Sequence, residues 1–148
     1  MAPTLDVVRE LIAADHGLAV VVTQRSDASP HATVVNAGVL DHPLRGEPVV
    51  GFVSRAGTAK VRHLRDRPRA TIVFRAGWRW TSVEGDAELV GPDDPLPGMD
   101  ADAVRLLLRA IFTAAGGQHE DFDTYDRVMA AERRTAVLVR PSRIVANA

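Results

Sequence analysis

The chain opens on a helical repeat. Val7, Val8, Leu11 and Ile12 recur at the spacing of one helix face, with Arg9 and Glu10 between them and Thr4 placed to cap the start. The period then changes, because Gly17 releases the chain into Leu18-Ala19-Val20-Val21-Val22-Thr23, an unbroken and largely β-branched run. Such a run predicts a strand buried on both faces. The segment from Arg25 to Pro30 is rich in turn formers, and His31 to Val39 predicts the returning strand of a hairpin. A second turn cluster, Asp41-His42-Pro43-Leu44-Arg45-Gly46, leads to a third strand over Pro48 to Val53.

That third strand runs into Ser54-Arg55-Ala56-Gly57-Thr58-Ala59-Lys60-Val61-Arg62-His63-Leu64-Arg65, which reads as a small-residue turn and one short helix beginning near Thr58. Pro68 enforces a break, and Ala70 to Phe74 predicts a fourth strand. After the turn at Ala76-Gly77, the longest strand candidate extends from Trp78 to Val90. Val83, Ala87 and Leu89 fall on one of its faces; Trp78, Trp80, Ser82, Glu84, Asp86 and Glu88 fall on the other. Tryptophans off the core face point to an interface, a ligand or a covering helix.

An irregular connector over Gly91 to Gly98 precedes a helix over Ala101 to Ala115, with Val104, Leu107, Leu108, Ile111 and Phe112 on one stripe and Gly116-Gly117 as its stop. Another helix starts at Asp121, with Phe122, Tyr125, Val128 and Met129 at helical spacing. Thr135 to Val139 is the last clear strand, closed by Pro141, with Arg143-Ile144-Val145 adding a few extended residues. The pattern predicts a mainly β, α+β chain: about six antiparallel strands joined mostly by hairpins into a small closed barrel, with peripheral helices. A length of 148 residues suits one domain over the whole chain, 1–148.

Composition narrows the function classes. A formal net charge of −1 argues against a surface that grips nucleic acid all round, so any basic patch must be local. With no cysteine there are no disulfides, thiolate metal sites or thiol catalysis. The five histidines are scattered outside any metal-ligand spacing, so no metal centre is expected. Nucleophile-elbow, phosphate-loop and dinucleotide-fold signatures are missing, so serine hydrolase, nucleotide hydrolase and Rossmann dehydrogenase readings lack their motifs. The start, Met1-Ala2-Pro3-Thr4, lacks a signal-type core and no apolar run reaches spanning length; the expectation is a cytoplasmic protein with no membrane partner.

One constellation carries chemistry. A helix start leaves backbone N–H groups unpaired and carries partial positive charge, which favours anions and phosphate above all. Around the start near Thr58, Ser54 and Thr58 add hydroxyl donors and Arg55 and Lys60 add charge; Lys60 is the chain's only lysine. The competing reading of the stretch is a solvated basic helix.

The Gly17-led strand, the Asp27-to-Pro30 hairpin, Ala59-Lys60-Val61-Arg62-His63-Leu64-Arg65-Asp66-Arg67-Pro68-Arg69-Ala70, and Trp80 to Leu89 occur in an order that resembles the pyridoxamine-phosphate-oxidase-like split β-barrel superfamily. Within it the chain looks most like the mycobacterial-type branch that uses the deazaflavin coenzyme F420. The run His119 to Tyr125, with Met129 and Glu132-Arg133-Arg134, is similar to that branch too. The resemblance implies a homodimer with two cofactor sites in grooves at the subunit interface. It implies a phosphate-binding segment at Ser54, Arg55, Thr58 and Lys60, and a segment at Val34, Val35 and Asn36 along the ring system. Trp78, Arg79 and Trp80 match a segment that the family can contribute across the interface. Gly57-Thr58 stands where some relatives carry an arginine just before the lysine, and the extended C-terminal arginine-and-histidine signature of vitamin B6 oxidases is missing.

Hydride chemistry in such a protein belongs to the cofactor and the protein supplies binding, orientation and water exclusion, so the resemblance implies no catalytic residue from the chain itself. The expected activity is hydride transfer from reduced F420 to an unsaturated organic acceptor such as a quinone, enone or tetrapyrrole. Alternatives are an oxidoreductase with FMN in the same groove, a protein that holds a cofactor or haem without turnover, and a purely structural dimer.

Overall fold

The computed structural model describes residues 3–147, so the Met1-Ala2 end of the segment read for a targeting signal lies outside the described residues. In chain order the elements are α1 (Leu5–Ala14), β1 (Leu18–Gln24), β2 (Pro30–Asp41), β3 (Pro48–Arg55), α2 (Ala59–Asp66), β4 (Arg69–Ala76), β5 (Arg79–Val90), α3 (Ala101–Ala114), α4 (Phe122–Ala131) and β6 (Arg134–Ala146). The six strands close into an antiparallel barrel in the order β1-β2-β3-β6-β5-β4, the α+β split barrel that the pattern predicts. Closure leaves no strand at an outer sheet edge along its whole length.

Alternation along the strands sorts side chains into two apolar layers. Val21, Phe52, Ile72, Phe74, Val83 and Val137 fill the barrel interior, and Val8, Leu11 and Ile12 of α1 close over it. Each such side chain contributes about 1.5–3 kcal/mol on full burial. Thr4 caps α1 as its position predicts, its hydroxyl accepting from the Asp6 N–H at 3.2 Å. The second layer lies outside the barrel, where Leu107, Leu108 and Ile111 of α3 and Tyr125 of α4 pack on Val49, Val90, Ala136 and Leu138.

This second layer relocates the strand buried on both faces. The uninterrupted run of β1 predicts it there, yet Leu18 is 43% and Val20 is 38% exposed. The doubly covered strands are β3 and β6, because α3 and α4 lie on their outer side. Pro141 also does not end β6. From Arg140 onward β6 pairs with β5 alone, and a register shift between Glu84 and Gly85 sets Pro141 opposite Gly85, so the missing N–H falls where β3 no longer asks for it.

Three glycines let α3 approach the sheet closely. A methyl group at Gly38 would stand 2.4 Å from the Ala114 carbonyl carbon, one at Gly17 would stand 2.5 Å from the Ala115 oxygen, and one at Gly51 would meet Leu40 and Ile111. The last turn of α3 therefore rests nearly on backbone.

Strand β2 is held unevenly along its length. Its pairing with β3 begins only at Ala37, so residues 30–36 are bonded to β1 and keep a free edge on the other side. The turn between β2 and β3 is clamped by His42, whose imidazole is wholly buried. Its Nδ1 accepts the N–H groups of Leu44 and Arg45, each at 3.2 Å, and its Nε2–H donates to Glu88 at 2.7 Å.

Candidate functional site

The predicted helix start is where the sequence places it, but its hydroxyls are spent differently. Thr58 is the N-cap of α2, yet its side chain makes no capping bond to the helix. Its hydroxyl instead lies 2.9 Å from that of Ser54, itself buried at the end of β3, and donates to the Arg55 carbonyl at 3.1 Å. The first turn of α2 thus has backbone donors without a side-chain partner, beside two paired hydroxyls.

Charge gathers around them. Strand register sets Arg55 directly across from Arg134, a like-charge pairing that costs stability unless an anion intervenes. Glu132 intervenes: one carboxylate oxygen accepts Arg55 Nε at 2.9 Å and Arg134 Nη2 at 2.8 Å. Hydrogen bonds from Arg134 first, and from Arg55 next, hold the Glu132 carboxyl below its ordinary range. Lys60 is partly buried nearby, and among the described residues no carboxylate lies within ion-pair distance of it. Burial, and then the charge of Arg134, push its ammonium below the usual lysine range. Two arginines therefore share one carboxylate beside an unpaired ammonium, and the cluster keeps an excess of two positive charges.

The cluster closes one end of a groove of about 570 Å³. One wall is the free edge of β2. The Ala37 N–H donates to Gly17 at 2.8 Å, so by strand alternation the backbone N–H and C=O of Val34 point away from β1, toward the open side. The Asn36 side chain donates to the His16 carbonyl at 2.9 Å, tying this wall to the turn before β1. The opposite wall is the end of α3 and the face of α4: Phe112, Ala115, Gly116, Tyr125 and Met129. The Tyr125 hydroxyl donates to the Leu108 carbonyl at 3.1 Å, and burial pushes its pKa up, so it serves as a neutral wall. The arrangement suits a flat molecule with an anionic tail: apolar walls, a polar strand edge, and positive charge at one end.

Seven sequence-predicted residues line this groove together: Val34, Val35, Asn36, Ser54, Arg55, Thr58 and Lys60. Trp78, Arg79 and Trp80 do not join them within one chain. They form the tip of the β4–β5 hairpin, where Trp78 is 94% exposed with no helix over it, and Arg79 pairs with Glu10 of α1. Asn147 holds the tip in place, donating to the Trp78 carbonyl at 2.6 Å and accepting the Trp80 N–H at 2.8 Å. Arg134, His16 and the α3–α4 wall are groove residues that pattern reading missed. The run Glu132-Arg133-Arg134 was the available signal for the first of these, since a strand opening on two cations invites the question of what neutralises them. Among the described residues, no group of three histidine, aspartate or glutamate side chains could hold a metal ion, and no helix is long and apolar enough to cross a membrane.

A closed six-stranded antiparallel barrel, with a short helix entering between β3 and β4 and a cation-ended groove at its split, defines a pyridoxamine-phosphate-oxidase-like split barrel. The family profile for pyridoxamine 5'-phosphate oxidase matches residues 5–144, and the chain belongs to that family, whose members are typically oxidoreductases. Solved structures share the fold at low identity. A conserved hypothetical protein from Mycobacterium tuberculosis is 17% identical, with a TM-score of 0.70 over 99% of this chain and 85% of that one. A pyridoxamine 5'-phosphate oxidase-related, FMN binding protein from Nostoc punctiforme is 16% identical, with a TM-score of 0.65 over 99% and 84%. A protein described as F420 reductase is 16% identical, with a TM-score of 0.61 over 92% and 94%.

Proposed function

We propose that the chain is an F420H2-dependent reductase, in which Ser54, Arg55, Thr58, Lys60 and Arg134 hold the cofactor phosphate and Val34, Val35 and Asn36 lie along its ring system. The observation that carries this reading is the unpaired ammonium of Lys60 beside Arg134, two hydroxyls and a helix start, at the end of a groove with a free strand edge. A buried or half-buried cation facing a second cation is costly, and the arrangement is relieved when an anion sits between them. Bound F420H2 supplies a hydride for an unsaturated acceptor such as a quinone, enone or tetrapyrrole. The residues of the chain bind, orient and exclude water; Phe112 and Met129 offer apolar surface and Tyr125 stays protonated, so no side chain here need act as acid or base.

FMN is the second reading, favoured by the double positive excess of the cluster, which matches the dianion of a phosphate monoester. Fluorescence titration of F420 and FMN against the purified chain tests both, followed by anaerobic addition of F420H2 with a panel of quinones, enones and biliverdin. Saturable F420 binding with acceptor-dependent oxidation is the expected result. FMN binding alone moves the assignment to the second reading. Tight binding with no turnover makes the protein a cofactor carrier, and no binding of either removes the reading altogether.

The site belongs, in this proposal, to a homodimer. Val34, Val20, Val73, Ser82 and Val145 stand in register across five strands on the outer face of the barrel. Val34 is 65% exposed and also lines the groove, so a second copy seated on this stripe borders the site and can bring its Trp78-Arg79-Trp80 tip to it. Light scattering of the wild type and of Val20→Asp is the check: a dimer for the first and a monomer for the second.

A further inference from the structure

A second cavity, of about 480 Å³, lies behind the groove, between the connector after β5 and helices α3 and α4. Leu96, Met99, Val104, Leu108 and Met129 line it. Its charged neighbours are all engaged within the protein. Asp100 accepts the Ala103 N–H at 2.8 Å as the cap of α3. Asp126 accepts Arg109 Nε at 2.9 Å and Arg105 Nη1 at 3.3 Å, and these arginines hold its carboxyl below the ordinary range. Arg105 also faces Asp102 at 3.6 Å, and Arg134 is held by Glu132. A charged ligand entering here would give up its water with no free partner to replace it, whereas an uncharged apolar ligand would lose nothing. The contrast with the groove, where Lys60 stands unpaired, is one of chemistry rather than of size.

We propose that this second cavity binds an uncharged, apolar small molecule, and that its occupancy is coupled to that of the groove through Met129 and Arg134, the two residues that line both. The volume falls in the range that takes a compound of two or three fused or linked rings. Met129 is unbranched and adaptable, so an empty cavity gives it, and the guanidinium beside it, room to swing away from the groove. A ligand in the cavity removes that room and pins both against the cofactor side. The coupling is therefore positive, and by linkage it is the same factor in each direction. Only this coupling rests on the cofactor reading of the groove; binding in the cavity stands without it.

The probe is N-phenyl-1-naphthylamine, a neutral aromatic amine whose emission rises in apolar surroundings, titrated against the full chain without cofactor. Saturable enhancement is expected for the wild type and equally for Lys60→Ala. Ala130→Trp and Ala101→Trp replace small helix residues that line only the second cavity, and each is expected to weaken the probe tenfold or more while keeping its melting temperature and an FMN or F420 affinity equal to or above that of the wild type. Two plugging variants guard against one failing to fold. Addition of whichever cofactor binds is expected to tighten the probe about threefold or more. No saturable enhancement in the wild type overturns the proposal, including the case in which light scattering shows a second copy covering the cavity. Unchanged probe affinity in both plugged variants overturns it, as does one-for-one displacement of the probe by cofactor, since the probe would then sit in the groove. Probe binding with neither FMN nor F420 binding would sustain the cavity and remove the cofactor reading, so the two can fail separately.

Discussion

The corner around His42 and the cluster around Lys60 are both polar sites set at strand ends, and they differ in what is left over. At His42 every polar atom is used: two backbone N–H groups on Nδ1, a carboxylate on Nε2, and Arg45 paired with Glu47 at 2.8 Å outside. At Lys60 the hydroxyls of Ser54 and Thr58 bond each other, Glu132 is shared by two arginines, and the ammonium has no partner. Groups saturated within the fold hold the fold together, and groups left unsaturated are free to meet a ligand. The two corners should therefore answer mutation in opposite ways.

The largest effect is expected at the saturated corner. His42→Ala removes a wholly buried side chain and the partner of Glu88 and of two backbone N–H groups, and should cost about 3 kcal/mol of stability with cofactor affinity unchanged. Urea unfolding with an unaltered m-value checks it; a loss below about 1 kcal/mol would make the corner incidental. Lys60→Ala reverses the pattern. Cofactor affinity should fall roughly tenfold or more, about 1.4 kcal/mol, while the stability of the free protein stays level or rises, because a cation facing Arg134 has gone. Arg9→Ala, on the exposed face of α1, is the control and should change neither; equal affinity losses for the two variants would return Lys60 to a solvated helix.

The paired carboxylates set the acid limit. Glu132 and Asp126 have folded-state pKa values held down by their arginines, so their contribution to stability is present above the ordinary values of 4.5 and 3.8 and is lost as pH falls through the lower folded values. Stability should therefore decline as pH drops below about 4.5, and Glu132→Gln should flatten part of that decline. Lys60 acts at the other end of the scale and with the opposite sense. Its folded value lies below the ordinary 10.5, so the unfolded chain holds the proton longer and stability rises with pH between the two values. An anion in the groove should lift the folded value back. With a single lysine in the chain, carbon-13 labelling at Lys60 Cε reports this directly, and an unmoved titration on adding FMN or F420 would place the phosphate elsewhere.

Local pattern carried most of the fold because it is written in short-range periodicity: the Val7-to-Ile12 stripe, the hairpin turns, the α3 stripe and its glycine stop all appear where spacing predicts. What pattern could not carry was which strands the helices would cover. The apolar runs of β1 and β3 look alike, and only the docking of α3 over Gly17, Gly38 and Gly51 decides that β3 is doubly buried. For the same reason Pro141 reads as a stop until the bulge opposite Gly85 is known. Of the groove, the residues adjacent in sequence, Ser54 to Lys60, were legible together. Arg134 became a groove residue through strand pairing with Arg55, a relation spanning most of the chain, and the Trp78-to-Trp80 tip lies outside the groove of its own subunit.

The glycines under α3 have a mechanical consequence. Because Gly17 and Gly38 bring the sheet against the backbone of Ala114 and Ala115, the spacing of β2 from the last turn of α3 is gauged by main chain on both sides. At that end the spacing cannot change by rearranging rotamers, whereas Met129 farther along the wall can move. A flat ring entering at that end would find both walls already at their final separation.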